Sequence, residues 1–501
     1  MSVFSRREFI HRTAVLSAAS PAHGFPAARA ADEPTAKKGS ATDRLKVAVV
    51  GVRSRGMSHV NGFLDKTNNC EIVAVCDCDE GVIGGAMKRV KEAQGAEPQF
   101  VKDVRKLVED KSLDIISIAT PNHWHATMAV WAMRAGKHVY CEKPATHNVK
   151  EGRIMTDTMA ATKTVCQVGT QSRSNPGMRD AIKYLHDGKL GKVQLAYGLC
   201  YKPRKSIGKV SGPQEPPKTM DYDLWCGPAK VIPPHRKTGN GTVHYEWHWI
   251  WEYGNGDFGN QGVHEADKAR WGLQATGLPT SAVGVGGRFG YVDDGETPNT
   301  QLCLYEYPQG PLLFETRGLP TDKFKVVNGA EGAGVGNVWY CENGYLVCPN
   351  YSGGIAYDRD GKQLAKFGGG GDHHHFRNFV EAVRAGDAGK LNCPAEEGHY
   401  SAAICHLGNI SYRVGKAGTM ADAAAAFDAN KTAAEAFGRM TDHLTDNKVD
   451  LREAKGMVGA KLTIDPKAEA VTAVADGGDK AKANELLFRE YRKGFDIQKG
   501  A

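Results

Sequence analysis

One turn near the start of the chain limits what can fold around it. A short apolar, β-branched run, Leu45–Val50, ends in Gly51-Val52-Arg53-Ser54-Arg55-Gly56, and a helix-like segment through Phe63 and Leu64 follows. The outer glycines match the first and third positions of G-x-G-x-x-G. That turn runs a strand directly into a helix whose N-terminus faces a dinucleotide pyrophosphate. Arg53 takes the middle position, where a bare backbone ordinarily lets the pyrophosphate approach. A second strand is expected at Glu71–Cys76, and Asp77 stands at its end, 21 residues beyond Gly56. A carboxylate there accepts hydrogen bonds from both ribose hydroxyls and repels a 2′-phosphate, which favours NAD. Arg53 and Arg55 can each approach a phosphate, so NADP stays open. Asp79 is a second acid able to share the ribose role.

The pattern continues as alternating strand and helix. Asp114–Ala119 and Lys137–Cys141 read as a third and a fourth strand, with a helix over Trp124–Ala135 between them and a stop at Gly136. Such alternation implies a parallel sheet with crossover helices. After about Val165 the strands lengthen: Lys192–Cys200, Ser281–Phe289, Gln301–Tyr307 and Pro311–Arg317. The expected fold is an α/β Rossmann domain, a doubly wound parallel sheet, followed by an α+β domain with a large open, mostly antiparallel sheet. The first domain is placed at residues 43–165 and the second, for substrate and oligomerisation, at 166–430. A helix-prone extension, 431–501, has its clearest pieces at Ala433–His443 and Asn484–Lys493 and a strand at Leu462–Ile464. It is expected to pack on the second domain.

Residues 1–30 are set aside as an export signal. Arg6-Arg7, a weakly apolar stretch Thr13–Ser20, and Ala28-Arg29-Ala30 occur in the order of a twin-arginine signal peptide, followed by a polar linker at 31–42. This implies passage through the twin-arginine machinery and a periplasmic or other extracytoplasmic location. An enzyme there is expected to hold its cofactor tightly. Six of the 64 basic residues lie between Arg6 and Lys38, so the net charge of +7 leaves the body only mildly basic. With no block of like charge, nucleic acid is not an expected partner. No run approaches about 18 apolar residues, so no membrane span is expected. Twelve scattered cysteines without a C-x-x-C pair do not make a disulfide framework, although a Cys341–Cys348 bridge stays open.

The third strand runs into Ala119-Thr120-Pro121-Asn122-His123-Trp124-His125, and the fourth into Glu142-Lys143-Pro144. Ligands of open α/β sheets bind outside the carboxyl ends of strands, so the first of these loops is expected to line the nicotinamide side. The spacing of His123 and His125 does not suit a metal, and none is expected. Together with Ala135-Gly136-Lys137-His138-Val139, these segments resemble the signature of the Gfo/Idh/MocA oxidoreductases. The resemblance runs from about Leu45 to Tyr412. It implies a cofactor site drawn from Gly51, Arg53, Ser54, Arg55, Gly56, Asp77, Thr120, Pro121, Asn122, His125, Glu142 and Lys143. It also implies a catalytic Lys143, whose ammonium stabilises developing alkoxide charge. The family's D-x-G-x-H appears here as Asn260-Gln261-Gly262-Val263-His264. His264 becomes the acid/base residue, because imidazole moves protons near neutral pH. Asn260 orients a hydroxyl but cannot serve as a charged partner. Arg173 aligns with a substrate arginine.

Tyr245, Trp247, Trp249, Trp251 and Tyr253 alternate with polar residues, which reads as a strand with one aromatic face. Trp247 and Trp249 are then candidates for the C–H face of a sugar, with a core or subunit interface as the other reading of that face. Gly368–Gly371 and His373–His375 read as a loop entering a helix at Phe376–Arg384. The expected activity is NAD(P)-dependent hydride transfer between a retained nicotinamide and a hydroxyl carbon of a sugar or polyol. Glycoside cleavage through transient oxidation and elimination is the alternative, and a sugar-binding protein that has lost catalysis is the third reading. The resemblance also implies a homodimer or homotetramer.

Overall fold

The computed structural model describes residues 44–236, 243–325 and 332–498. The proposed export signal and linker lie outside the described residues. Strands β1 (Leu45–Val50), β2 (Cys70–Cys76), β3 (Gln99–Val101), β4 (Ile115–Ile118), β5 (His138–Cys141) and β6 (Cys166–Val168) form a parallel sheet in the order β3-β2-β1-β4-β5-β6. Helices α1 (Arg55–Phe63), α2 (Gly84–Gln94), α3 (Val104–Glu109), α4 (Asn122–Arg134) and α5 (Val149–Thr162) make the crossovers. β4 and β5 are buried at every position, as strands covered on both faces must be. Strand order reverses between β1 and β4, whose last residues Val50 and Ile118 pair directly. The turns after both strands therefore leave the sheet side by side at its carboxyl edge, where a doubly wound sheet opens a crevice. β3 and β6 escaped the sequence reading because three residues are too few to show a period.

After α6 (Pro176–His186), β7 (Val193–Tyr201), α7 (Tyr222–Cys226) and α8 (Val263–Gly272), the chain enters a run of strands. These are β8 (Ser281–Gly287), β9 (Thr300–Tyr307), β10 (Gly310–Arg317), β11 (Val335–Cys341), β12 (Gly344–Cys348), β13 (Gly354–Asp358) and β14 (Gln363–Phe367). Then come α9 (Asp372–Ala385), α10 (Ala395–Arg413), β15 (Lys416–Thr419), α11 (Lys431–Asp446), β16 (Lys455–Val458), β17 (Leu462–Asp465), β18 (Ala470–Val474) and α12 (Lys480–Glu485). The second sheet has 12 strands, with β14-β13-β12-β11-β7-β10-β9-β8-β16-β15 as its main path. All its pairings are antiparallel except β7 with β10. Alternate residues of β7 face opposite cores: Ala196 and Cys200 pack with α6, α8 and α10, whereas Leu195, Tyr197 and Leu199 pack under α11 with Phe437 and Met440. With both faces covered, the central strands read as continuous apolar runs.

Three local expectations are corrected and one open question is answered. Residues 245–253 are not a strand: Glu246–Trp249 is a single 3-10 turn, entered by Tyr245 at φ +69°, and Gly254 N–H closes the next turn on Ile250 O at 2.8 Å. The helix expected at Asn484–Lys493 is only Lys480–Glu485. Tertiary ties draw the following residues out, with Lys150 N–H donating to Leu487 O at 2.9 Å and Tyr491 OH to Glu151 at 2.7 Å. α9 begins at Asp372 rather than Phe376, because His375 is buried and held by Val168 O and the Ser174 hydroxyl. Cys341 and Cys348 are free, since in the β11–β12 register Cys341 faces Gly344 and Cys348 faces Asn337. The extension also packs more widely than expected: β17 pairs with β8 of the second sheet, yet Phe495 and Ile497 join the core of the first domain.

Candidate active site

The turn after β1 is shaped by its glycines. Gly51 has φ +81°, and a Cβ there would lie 2.7 Å from Ala119 O, because β1 and β4 part at this point. A Cβ on Gly56 would lie 1.8 Å from Gly51 O. Gly56 thus lets α1 close against the turn from behind without reaching the crevice itself. α1 begins there with no side-chain cap and no acid in its first turn, so its N–H groups and dipole are left for an anion. Arg53 and Ser54 are exposed on the wall.

Asp77 also lines the wall, its carboxylate accepting from Val52 N–H at 3.0 Å and Asp79 N–H at 3.1 Å; burial raises its pKa. Asp79 does not share the position. It is 2% exposed and committed to Gly81 N–H, the Thr219 hydroxyl and the His244 ring.

The Glu142 carboxylate ties the two ends of the nucleotide wall together. Its Oε1 meets Arg55 Nε at 2.7 Å, His59 Nε2 at 3.2 Å and Gln171 Nε2 at 3.1 Å, and its Oε2 accepts Lys143 N–H at 3.1 Å. Burial opposes ionisation, but Arg55 and His59 hold this carboxyl well below the usual range. Arg55 also donates to Asp372 at 2.6 Å, while its buried Nη2 has no partner. A glycine turn that a Cβ would fill, an uncapped helix start, an unspent guanidinium N–H and a strand-end carboxylate suit an adenine dinucleotide.

Thr120, Pro121 and Asn122 continue the wall, and His125 fastens this loop to the next, with its ring nitrogens 2.8 Å from Thr120 O and 2.7 Å from Pro144 O. His123 is buried between Tyr253 O and Trp225 O, and burial lowers its pKa to about 3. No group of three or more His, Cys, Asp or Glu suited to a metal occurs among the described residues.

The opposite wall comes from the second domain. Phe258–Gly262 is a wide π-type turn running straight into α8, a feature that re-aims side chains at functional sites. Gly262 allows it, since a Cβ there would sit 2.4 Å from the Phe314 ring. The turn presents Asn260 and His264 to the same cleft as Lys143, a space of about 410 Å³. Lys143 Nζ donates to Asn260 O. Burial lowers the Lys143 pKa; Glu142 and Glu265 oppose the shift, whereas Arg55 and Lys202 add to it. Burial, then the Lys143 charge, holds the His264 imidazole well below its usual pKa, so it is a neutral proton acceptor at pH 7.

Two expected substrate residues are elsewhere. Arg173 is buried behind the wall, its Nε 2.9 Å from Asp267 Oδ1 and its Nη2 2.9 Å from Glu397. Trp249 is buried under the Arg204 guanidinium and is not on the wall. Trp247 is on the wall, stacked on His248 with ring centroids 3.7 Å apart. Sequence reasoning missed Gln171, His248 and Tyr351. Tyr351 follows β12, and its ring centroid lies 5.1 Å from that of His264; no motif marks it.

Residues 45–170 match the Gfo/Idh/MocA family profile, described as an oxidoreductase family with an NAD-binding Rossmann fold. Inositol 2-dehydrogenase of Salmonella typhimurium is 25% identical over 181 residues, covering 36% of this chain and 52% of that protein. A glycosyl hydrolase family 109 protein of Saccharopolyspora erythraea is 32% identical over 209 residues, covering 39% of this chain and 45% of its own. The chain thus spans about half the length of the curated relatives it matches. A levoglucosan dehydrogenase, solved with NADH and levoglucosan, superimposes with a TM-score of 0.54 at 16% identity, over 73% of this chain and 96% of that one. The glycine turn, the strand order and the profile agree, and residues 45–170 match the NAD-binding Rossmann fold of the Gfo/Idh/MocA oxidoreductase family.

Proposed function

We propose that the protein is an NAD-dependent oxidoreductase acting on a CH–OH group of a sugar or polyol. The observation that carries this reading is that Lys143 and His264, from separate domains, line one cleft beside the glycine turn. Gly51, the α1 N-terminus and Arg55 hold the pyrophosphate, and Asp77 takes the ribose hydroxyls and disfavours a 2′-phosphate. The bound nicotinamide supplies the hydride acceptor or donor. Lys143 donates a hydrogen bond to the reacting oxygen and stabilises negative charge developing there. His264, neutral at rest, takes the hydroxyl proton in the oxidative direction and returns it in the reverse. Asn260 orients a neighbouring hydroxyl, and Trp247 offers an aromatic face to ring C–H groups.

Mass spectrometry of the small molecules released on denaturing the purified protein tests the cofactor assignment. NAD is expected, and NADP overturns the role given to Asp77. Lys143→Ala should keep the dinucleotide and lose about 10³-fold or more in kcat; unchanged turnover removes Lys143 from the mechanism. The relatives named glycosyl hydrolase family 109 support a second reading, in which transient oxidation leads to elimination of a glycosidic leaving group. An aryl glycoside separates the two readings, because cleavage frees the phenol whereas simple oxidation leaves the aglycone attached.

We also propose twin-arginine export to an extracytoplasmic location, which predicts a mature N-terminus near Ala31 on sequencing. Assembly as a homodimer or homotetramer, read by light scattering, completes the proposal.

A further inference from the structure

A second cavity, of about 580 Å³, adjoins the first through one residue. Asn255 lines it, accepts from Asn122 Nδ2 of the cleft wall at 3.2 Å, and donates to His147 O at 3.0 Å. The start of α5, the turn before Asn255, the last turns of α10 and the C-terminal segment around α12 enclose the space.

Its lining holds donors with nothing to bind. Arg489 Nη2 meets Glu252 at 2.6 Å, but Nε and Nη1 are buried without a partner, on a side chain only 8% exposed. Asn148 is 4% exposed; its Oδ1 caps α5 by accepting Glu151 N–H at 3.0 Å, while the buried Nδ2 is unpartnered. His147 Nε2 is also buried and unpartnered, and it donates in the tautomer that carries the ring proton there. Orphaned donors of this kind are costly unless a ligand or water meets them.

Charge points the same way. Three of the four wall cations have carboxylates: Arg489 with Glu252 at 2.6 Å, Lys482 with Glu485 at 3.0 Å and Lys230 with Glu490 at 3.9 Å. The fourth, Arg413, has no carboxylate within ion-pair distance among the described residues and lies 5.0 Å from the centroid of the Trp251 ring. Burial, and then the Arg489 charge, keeps the His147 imidazole far below its usual pKa, so it remains neutral.

We propose that this cavity binds a small ligand bearing an oxyanion, a phosphate or a carboxylate, held by Arg489, Arg413, Asn148 and His147. An oxyanion matches one unpaired cation and several N–H donors, and charge-assisted bonds from guanidinium groups are the strong ones. The site stands apart from the nucleotide cleft and does not depend on the reaction proposed there.

Calorimetric titration of the full chain with inorganic phosphate and, separately, with malonate tests it. Binding of phosphate alone assigns a phosphate ligand, and binding of malonate alone assigns a carboxylate. Arg489→Gln and Arg413→Gln should each weaken that binding about tenfold or more. Arg413→Gln breaks no ion pair and decides the matter alone if loss of the Glu252 partner unfolds the other variant. Phosphate can also settle at the glycine turn of the first domain, so an affinity unchanged in Arg413→Gln overturns the proposal. So does the absence of binding by either anion up to about 10 mM, a result that leaves the orphaned donors to ordered water.

Discussion

At the scale of single residues, the cleft separates groups that face ligand from groups that hold the wall. Lys143 and His264 are partly open to the cleft, whereas Arg173 is sealed behind it against Asp267 and Glu397. Asp267 has a side chain 1% exposed and, among the described residues, its carboxylate is met besides Arg173 by the Ser401 hydroxyl alone, at 2.6 Å. Removing the guanidinium therefore strands a buried carboxylate. Arg173→Gln should destabilise the fold by about 3–5 kcal/mol. Denaturant melts should show that loss, while the folded fraction keeps its KM. A raised KM at unchanged stability would return Arg173 to the substrate. The motif identified the right neighbourhood, but Gln171 reaches the wall and Arg173 does not. Side-chain direction within a 3-10 turn sets that difference, and no spacing rule encodes it.

At the scale of elements, the departures from expectation occur where long-range contacts outweigh local preference. The aromatic alternation at 245–253 resembles a strand, yet Trp249 finds Arg204, Trp247 finds His248 and Tyr253 finds Trp225, none of them in a strand ladder. The C-terminal segment behaves likewise. Phe495 is 7% exposed, stacked on Trp131 with centroids 5.9 Å apart and edge-on to Trp124 at 5.5 Å. It is part of the first domain's core although more than 300 residues separate it from that domain. Phe495→Ala should cost about 3–5 kcal/mol, read as a lower denaturant midpoint. A loss under about 0.5 kcal/mol would mark the segment as loosely attached.

For the whole molecule, acid sensitivity follows from buried histidines. Burial lowers the pKa of His123, His248 and His406 to about 3 and of His375 to about 4. The unfolded chain takes up these protons near pH 6.5. Below that pH the unfolded state binds more protons, so stability falls as pH drops toward 4 and is at its plateau above 6.5. Each histidine contributes at most about 1.4 kcal/mol per pH unit. Asp77, Glu151 and Glu265, whose carboxyls burial pushes up, act in the opposite sense, and the four histidines outnumber them. Urea midpoints at pH 7.5, 6 and 5 should decline steadily; a flat series would show that the histidines are protonated in the fold.

The amino-acid order by itself determined the first domain: β1, the glycine turn, Asp77, and the loops ending at Asn122 and Lys143. Each is a local instruction, in which a β-branched run, a glycine at positive φ or a strand-end acid acts on its own few residues. It also determined that the second sheet would be rich in long strands, because burial on both faces leaves apolar runs. Only the tertiary structure decided which side chains share a space. Asn260 O reaching Lys143, Tyr351 facing His264 and Arg489 opening onto a second cavity are contacts across more than 80 residues of chain. Such contacts depend on how two sheets and a C-terminal segment pack, a balance of many small burial terms that no single stretch of sequence carries.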